Sequence, residues 1–332
     1  MRLENIDLSL PVVRANPYKI FSVVGGLALI IGLFLDAERA WANLLLISFV
    51  LVAMGLCGTF FVALQYVSSA GWSIVIRRIA EAMASLIPIG AIGILAVLIL
   101  HPTIYPWFAE SSHNGGHGGG FKDIWLSLPF FIGRTVFYLG LWILMGRAII
   151  KHSREQDEDG SPEHTRKNVR ISALFTVLFA LTFWLASFDW IMSLEPKWYS
   201  TIFGIYNFAG MFTSGLAIMI ITAIWLEKGP MRGIITGEHF HDLGKLLFAF
   251  CTFWMYIWFC QYMLIWYANI PEEAVYFTGR MVGAWKPLMF LNIFLNWVVP
   301  FGVIMSSRTK RNTSIMFRVS LAVLAGRWLD MY

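Results

Sequence analysis

The residues in this sequence best placed to do chemistry are ionisable side chains set inside long apolar runs. In RRIAEAM, Arg77, Arg78 and Glu81 are spaced so that Glu81 shares a helical face with either arginine. Arg134 lies within FIGRTVFY, Asp189 closes the apolar run ISALFTVLFALTFWLASF, and Arg327 and Asp330 form an i,i+3 pair in GRWLDMY. A charged group in such a run must be paired or hydrated, so each marks either a clamp between helices or a polar path. Arg134 and Asp189 fall at comparable depths on consecutive helices, which predicts a cross-helix ion pair. Taken together, the set reads as two polar half-paths for protons separated by an apolar middle. Glu81, with Arg77 and Arg78, opens one side, and Arg134, Asp189, Arg327 and Asp330 open the other. The bland account of each residue is a structural clamp or a snorkelling arginine at a helix end. No residue is nominated as catalytic.

A second set lies in FWMYIWFCQYMLIWYANIPEE, where Gln261, Tyr262, Trp266 and Tyr267 crowd the end of an apolar run. Amides and amphipathic rings at that level suit a quinone headgroup, which takes an apolar slot with a few hydrogen-bond donors. They suit an interfacial aromatic belt equally well. Asn292 and Asn296 share a helical face and fit interhelical hydrogen bonds. In HPTIYPWFAESSHNGGHGGGF, His101, His113 and His117 stand among glycines that leave them unfixed, so a flexible loop that contacts a partner is preferred to a metal site. The sequence contains no CxxCH, no iron–sulfur cysteine set and no Walker or GxGxxG loop, and Cys57, Cys251 and Cys260 sit singly in apolar runs. The expectation is a chain that holds no metal and no redox cofactor of its own.

The elements that must position these residues are membrane spans. Hydrophobic residues are 58% of the 332 and charged ones 14%, against roughly a quarter charged in soluble domains. About nine spans meet the ~20-residue apolar criterion, at roughly 19–35, 43–67, 72–100, 123–149, 169–193, 198–226, 242–269, 284–306 and from 313 onward. The chain, 1–332, therefore reads as one all-α integral membrane domain. The last span, ending at RWLDMY, is expected to be followed by more helix. Arginine and lysine concentrate at 77–78, 147–170, 228–232 and 308–311, all on one side if spans alternate. By the positive-inside bias that side is cytoplasmic, together with the N-terminus and a polar, mobile loop at 151–168. The loops at 36–42, 101–122, 190–198 and 270–283 then face outward. Within SFDWIMSLEPKWYS, Pro196 is placed to end a helix, and Trp184, Trp190, Trp198 and Tyr199 fit an interfacial belt. The formal charge of +5 is explained by that loop bias and does not indicate nucleic-acid binding.

Three stretches, SFDWIMSLEPKWYSTIFGIYNFAG, FWMYIWFCQYMLIWYANIPEE and GRWLDMY, in this order, resemble the smaller polysulfide-reductase-like (NrfD-like) membrane subunit of bacterial alternative complex III. The resemblance extends over essentially the whole chain. It implies two four-helix bundles with flanking helices, in a quinol-oxidising respiratory complex of the bacterial inner membrane. It further implies partner subunits: a sister NrfD-like subunit, and iron–sulfur and cytochrome c subunits whose clusters and haem c carry the electrons from a menaquinol or other quinol. This subunit would contribute a proton path, a quinone pocket, or both. A different class, a secondary transporter whose buried charges bind a substrate, would be favoured by a matched pair of broken helices in two halves. None is visible in the sequence.

Overall fold

The computed structural model describes residues 16–108, 120–195 and 198–332, and among these every regular element is helical. Helix α1 spans Asn16–Leu35, α2 Ala37–Val67, α3 Ile74–Met83, α4 Leu86–Leu100 and the short α5 Phe121–Trp125. They are followed by α6 (Leu128–Asp159), α7 (Pro162–Trp190), α8 (Phe203–Glu227), α9 (Gly237–Ala268) and α10 (Pro271–Arg280). Helix α11 runs Trp285–Val303 through a π-helical turn at Phe294–Val298, and α12 (Ser307–Lys310) and α13 (Thr313–Met331) complete the order.

Among the described residues, seven segments are long and apolar enough to cross a membrane: α2, the α3–α4 run Ile74–Leu100, α6, α7 with its 3₁₀ extension to Leu194, α8, α9 and α11. The chain is an all-α, polytopic integral membrane protein. The first and last expected spans are helices as well. Only Ser22–Leu35 of α1 counts as its apolar stretch, and α13 carries Arg318, Arg327 and Asp330 within Thr313–Met331.

Two four-helix rings make up the interior. In the first, α2 packs on α4 and α7, and α6 closes the ring against α4 and α7. In the second, α8 packs on α9 and α13, and α11 closes it between them. Helix α8 also lies against α2 and α7, and this joins the rings. Small residues permit the close approaches that hold helices together where lipid removes the hydrophobic drive. A Cβ on Gly58 would strike the Ala80 carbonyl, and one on Gly215 would strike Cys57 Sγ. Helix α1 touches α2 and exposes most of its apolar side chains.

Several connections differ from the expectation. The loop at 36–42 is reduced to Asp36, whose carboxylate caps α2 by accepting from the Arg39 amide at 3.2 Å. The 151–168 segment is not a loop: α6 continues to Asp159, and α7 starts at Pro162. Gly160 turns the chain in the left-handed region (φ +66°), and Ser161 caps α7 with Pro162 in its first turn. Polar composition here reflects helix faces beyond the apolar core rather than absence of structure. The 270–283 connection is largely the helix α10, and the fourth span begins at Leu128, after α5. Pro196, His113 and His117 lie outside the described residues. Trp190 and Trp198 do not form a belt but are buried, at 0% and 3% exposure. Trp190 donates to Thr135 Oγ1 at 3.0 Å, and Trp198 stacks on Tyr276 with centroids 4.2 Å apart. Trp184 and Tyr199 remain exposed.

Candidate functional site

Each ring contains one interrupted helix, and each interruption carries polar groups. In the first ring the break between α3 and α4, at Ala84–Ser85, follows directly on Glu81. The Glu81 carboxylate is buried, pairs with Arg78, and accepts a hydrogen bond of 2.6 Å from Ser153 Oγ on α6. Arg78 also donates to the Ser153 carbonyl at 3.2 Å and pairs with Asp157, so the guanidinium bridges α3 to the end of α6. Arg77 takes no part in this. It donates to the Tyr66 hydroxyl at 2.7 Å and lies over that ring. A cleft of about 700 Å³, lined by Glu81, Ser85, Trp142, Arg147, Arg154 and Glu158 among others, reaches the carboxylate from the end of the molecule where the basic segments gather.

At the opposite end the four expected residues separate into two groups. Asp189 is 1% exposed and fully engaged. Arg134 meets it with a two-pronged pair, Nε to Oδ2 at 3.0 Å and Nη2 to Oδ1 at 2.9 Å. Trp125 Nε1 donates at 3.0 Å and the Tyr138 hydroxyl at 3.4 Å. The guanidinium in turn donates to the Trp125 carbonyl at 2.7 Å and lies 3.9 Å from the centre of that indole. Each carboxylate oxygen of Asp189 thus accepts from two donors, and the arrangement locks α6 to α7 and α5.

Arg327 and Asp330 lie in the second ring and are organised differently. Asp330 pairs with Arg327, accepts from the Tyr206 hydroxyl on α8, and accepts from Asn292 Nδ2 on α11 at 2.9 Å. Asn296, within the π turn of α11, donates to the Asn292 carbonyl at 3.1 Å. A π turn frees backbone groups and is a frequent feature of functional sites. Gly210 makes room for the guanidinium: a Cβ there would lie 2.7 Å from Arg327 Nε. That nitrogen is buried without a hydrogen-bond partner, as are Asn207 Nδ2 and Trp198 Nε1. Two cavities flank Asp330. One, of about 430 Å³, is bounded by Phe49, Ile191, Trp198, Asn207, Tyr276 and Arg327 among others. The other, of about 260 Å³, is bounded by Trp258, Trp285, Asn292 and Arg280 among others. Arg280 lies over the Tyr276 ring at 3.7 Å and donates to the Tyr276 carbonyl at 2.8 Å. Burial pushes the Tyr276 phenol above its ordinary range.

The residues expected around a quinone, Gln261, Tyr262, Trp266 and Tyr267, are not brought together. Gln261 is buried with its Nε2 unpartnered, Tyr262 stacks on Trp258, and Trp266 and Tyr267 are 64% and 84% exposed. Sequence reasoning missed Tyr206, Asn207, Tyr276 and Arg280. Asn207, a polar amide in the middle of an apolar run, was the available signal. His101 stacks on Trp41, with ring centroids 5.5 Å apart. No family model matches the chain, and no curated protein matches it.

Proposed function

We propose that this integral membrane protein is the smaller NrfD-like subunit of a quinol-oxidising respiratory complex of the alternative complex III kind. The observation that supports it most is the pairing of two four-helix rings, each with an interrupted helix beside a buried carboxylate, opening to opposite ends. Oxidation of a quinol releases electrons and protons together. In this reading haem c and iron–sulfur partner subunits take the electrons, and the protons move through polar groups of the membrane subunits. Glu81 and Asp330 are the residues suited to that work, because each borders a cavity. Asp189 is enclosed by its partners and serves as a clamp. For a menaquinol or other quinol headgroup, the 430 Å³ cavity offers apolar walls with unpartnered donors on Arg327, Asn207 and Trp198. The interrupted helices are the second of one ring and the third of the other in chain order. They are therefore not the matched pair that a secondary transporter with internal repeats would present.

The test uses the complete complex in liposomes with quinol and its acceptor. Glu81→Gln and Asp330→Asn keep side-chain shape and remove the titrating group. The reading expects electron flow to persist and proton release per electron to fall. Unchanged stoichiometry in both variants would remove the proton role, and quinol oxidation or solute transport by the isolated chain would remove the subunit role.

A further inference from the structure

The hairpin between α6 and α7 carries a group of side chains that none of the above uses. His152 and Glu155 share a face of α6 one turn apart, and His164 enters from the first turn of α7. His152 Nδ1 lies 2.9 Å from Glu155 Oε2, and His164 Nδ1 lies 3.4 Å from the same oxygen. All three ligand-type atoms fall within 4.8 Å of one another. Around a tetrahedral zinc ion, with bonds of about 2.0–2.1 Å, neighbouring donor atoms stand roughly 3.3–3.5 Å apart. The cluster thus needs only small side-chain shifts to place three donors on one ion.

Two further observations separate this arrangement from an ordinary surface ion pair. His164 Nδ1 is buried and makes no hydrogen bond. The other ring nitrogen, Nε2, is 2.9 Å from Asp159 Oδ2. A carboxylate on Nε2–H fixes the tautomer that leaves the Nδ1 lone pair free, which is how metal-binding imidazoles are oriented by their outer partners. Asp159 is itself held, because its other oxygen accepts from the Ser161 amide at 2.8 Å in the Gly160 turn. Gln156 Nε2 donates to Thr165 Oγ1 at 2.7 Å and ties the two helices together beside the cluster. The neighbouring cation, Lys151, sits 3.8 Å from Glu155 Oε1, the oxygen turned away from the histidines.

We infer that His152, Glu155 and His164 form a binding site for a divalent transition-metal ion of the zinc class, with Asp159 orienting His164 and water completing the coordination. Two imidazoles and one carboxylate are borderline-to-hard donors that suit Zn²⁺ and disfavour Mg²⁺ or Ca²⁺, which take oxygen ligands. Glu155 also lines the cleft leading to Glu81, so an ion here would stand on the wall of that cleft.

The test is competition for Zn²⁺ between the purified full-length chain, stripped of metal, and a fluorescent zinc indicator, with Mg²⁺ as the control ion. The inference expects one ion per chain held at this site, unaffected by excess Mg²⁺. His152→Ala combined with His164→Ala should abolish that equivalent. Asp159→Asn, which keeps every ligand, should weaken it by about 10–100-fold. Size-exclusion profiles of the variants check that folding is preserved. If Asp159→Asn and the double variant, both folded, bind zinc as the parent chain does, the ion sits elsewhere and the inference is wrong. It is equally wrong if the parent binds none.

Discussion

Replacing Asp189 with leucine would leave the Arg134 guanidinium, itself 8% exposed, facing an apolar wall with the Trp125 carbonyl as its remaining acceptor. Replacing Arg134 with methionine would leave Asp189 with Trp125 Nε1 and the Tyr138 hydroxyl alone. Removing one partner of a buried pair costs about 3–5 kcal/mol, because the other charge stays desolvated and uncompensated. Each single variant should therefore lose roughly two to four decades in its unfolding equilibrium constant. Exchanging both for apolar residues of similar volume removes the charges together, and such exchanges are often neutral or stabilising. Arg134→Met/Asp189→Leu should accordingly be more stable than either single variant. The assay is unfolding of the purified chain in mixed micelles by titration with a denaturing detergent, followed by tryptophan fluorescence. If the singles cost under ~1 kcal/mol, or the double costs the sum of both, the enclosed-clamp description of Asp189 is refuted. If the chain serves in a quinol-oxidising complex as proposed, the double variant should keep turnover there, since the pair is given a structural task.

Gly210→Ala would drive a methyl into the Arg327 guanidinium, so it should cost at least about 1–3 kcal/mol in the same titration and loosen the contact with Asp330. A variant as stable as the parent would show that Arg327 does not rest on Gly210. Single cysteines at Glu158 and Gly120, both exposed, should label from opposite faces of intact cells, with Glu158 reached from the cytoplasmic side. Labelling of both from outside would overturn the orientation inferred from the basic segments. Of the native thiols, Cys57 and Cys251 are fully buried and should resist maleimide until the protein unfolds, whereas the half-buried Cys260 should react in micelles. Rapid modification of Cys57 would mean that α2 and α8 are not packed as described.

The sequence made the spans readable because a bilayer demands ~20 apolar residues wherever a helix crosses. It also foretold the Arg134–Asp189 pair, since a buried charge needs a partner and these two fall at comparable depths on consecutive helices. Facing was much less legible. In a chain whose interior and solvent are both apolar, a Trp reads the same whether it meets lipid or another helix. Trp190 and Trp198 therefore read as a belt in the sequence, although they are core residues. The second ring's pocket was hidden for a related reason. Tyr206, Asn207, Tyr276, Arg280 and Asp330 come from α8, α10 and α13, and nothing local to any one segment relates them. Likewise the choice of Arg78 over Arg77 for Glu81 depends on where α6 places Ser153 and Asp157, a tertiary fact. The hairpin at 151–168 reads as a loop because polarity alone does not distinguish a loop from helices that extend beyond the apolar layer.

The proposal that this chain is one member of a redox assembly is tested directly by gentle detergent purification through an affinity tag on the chain. Haem c absorption and iron–sulfur electron paramagnetic resonance should travel with it at constant ratio through size exclusion, and a quinol should reduce both. A folded chain that emerges alone, or with partners that carry neither centre, would contradict it.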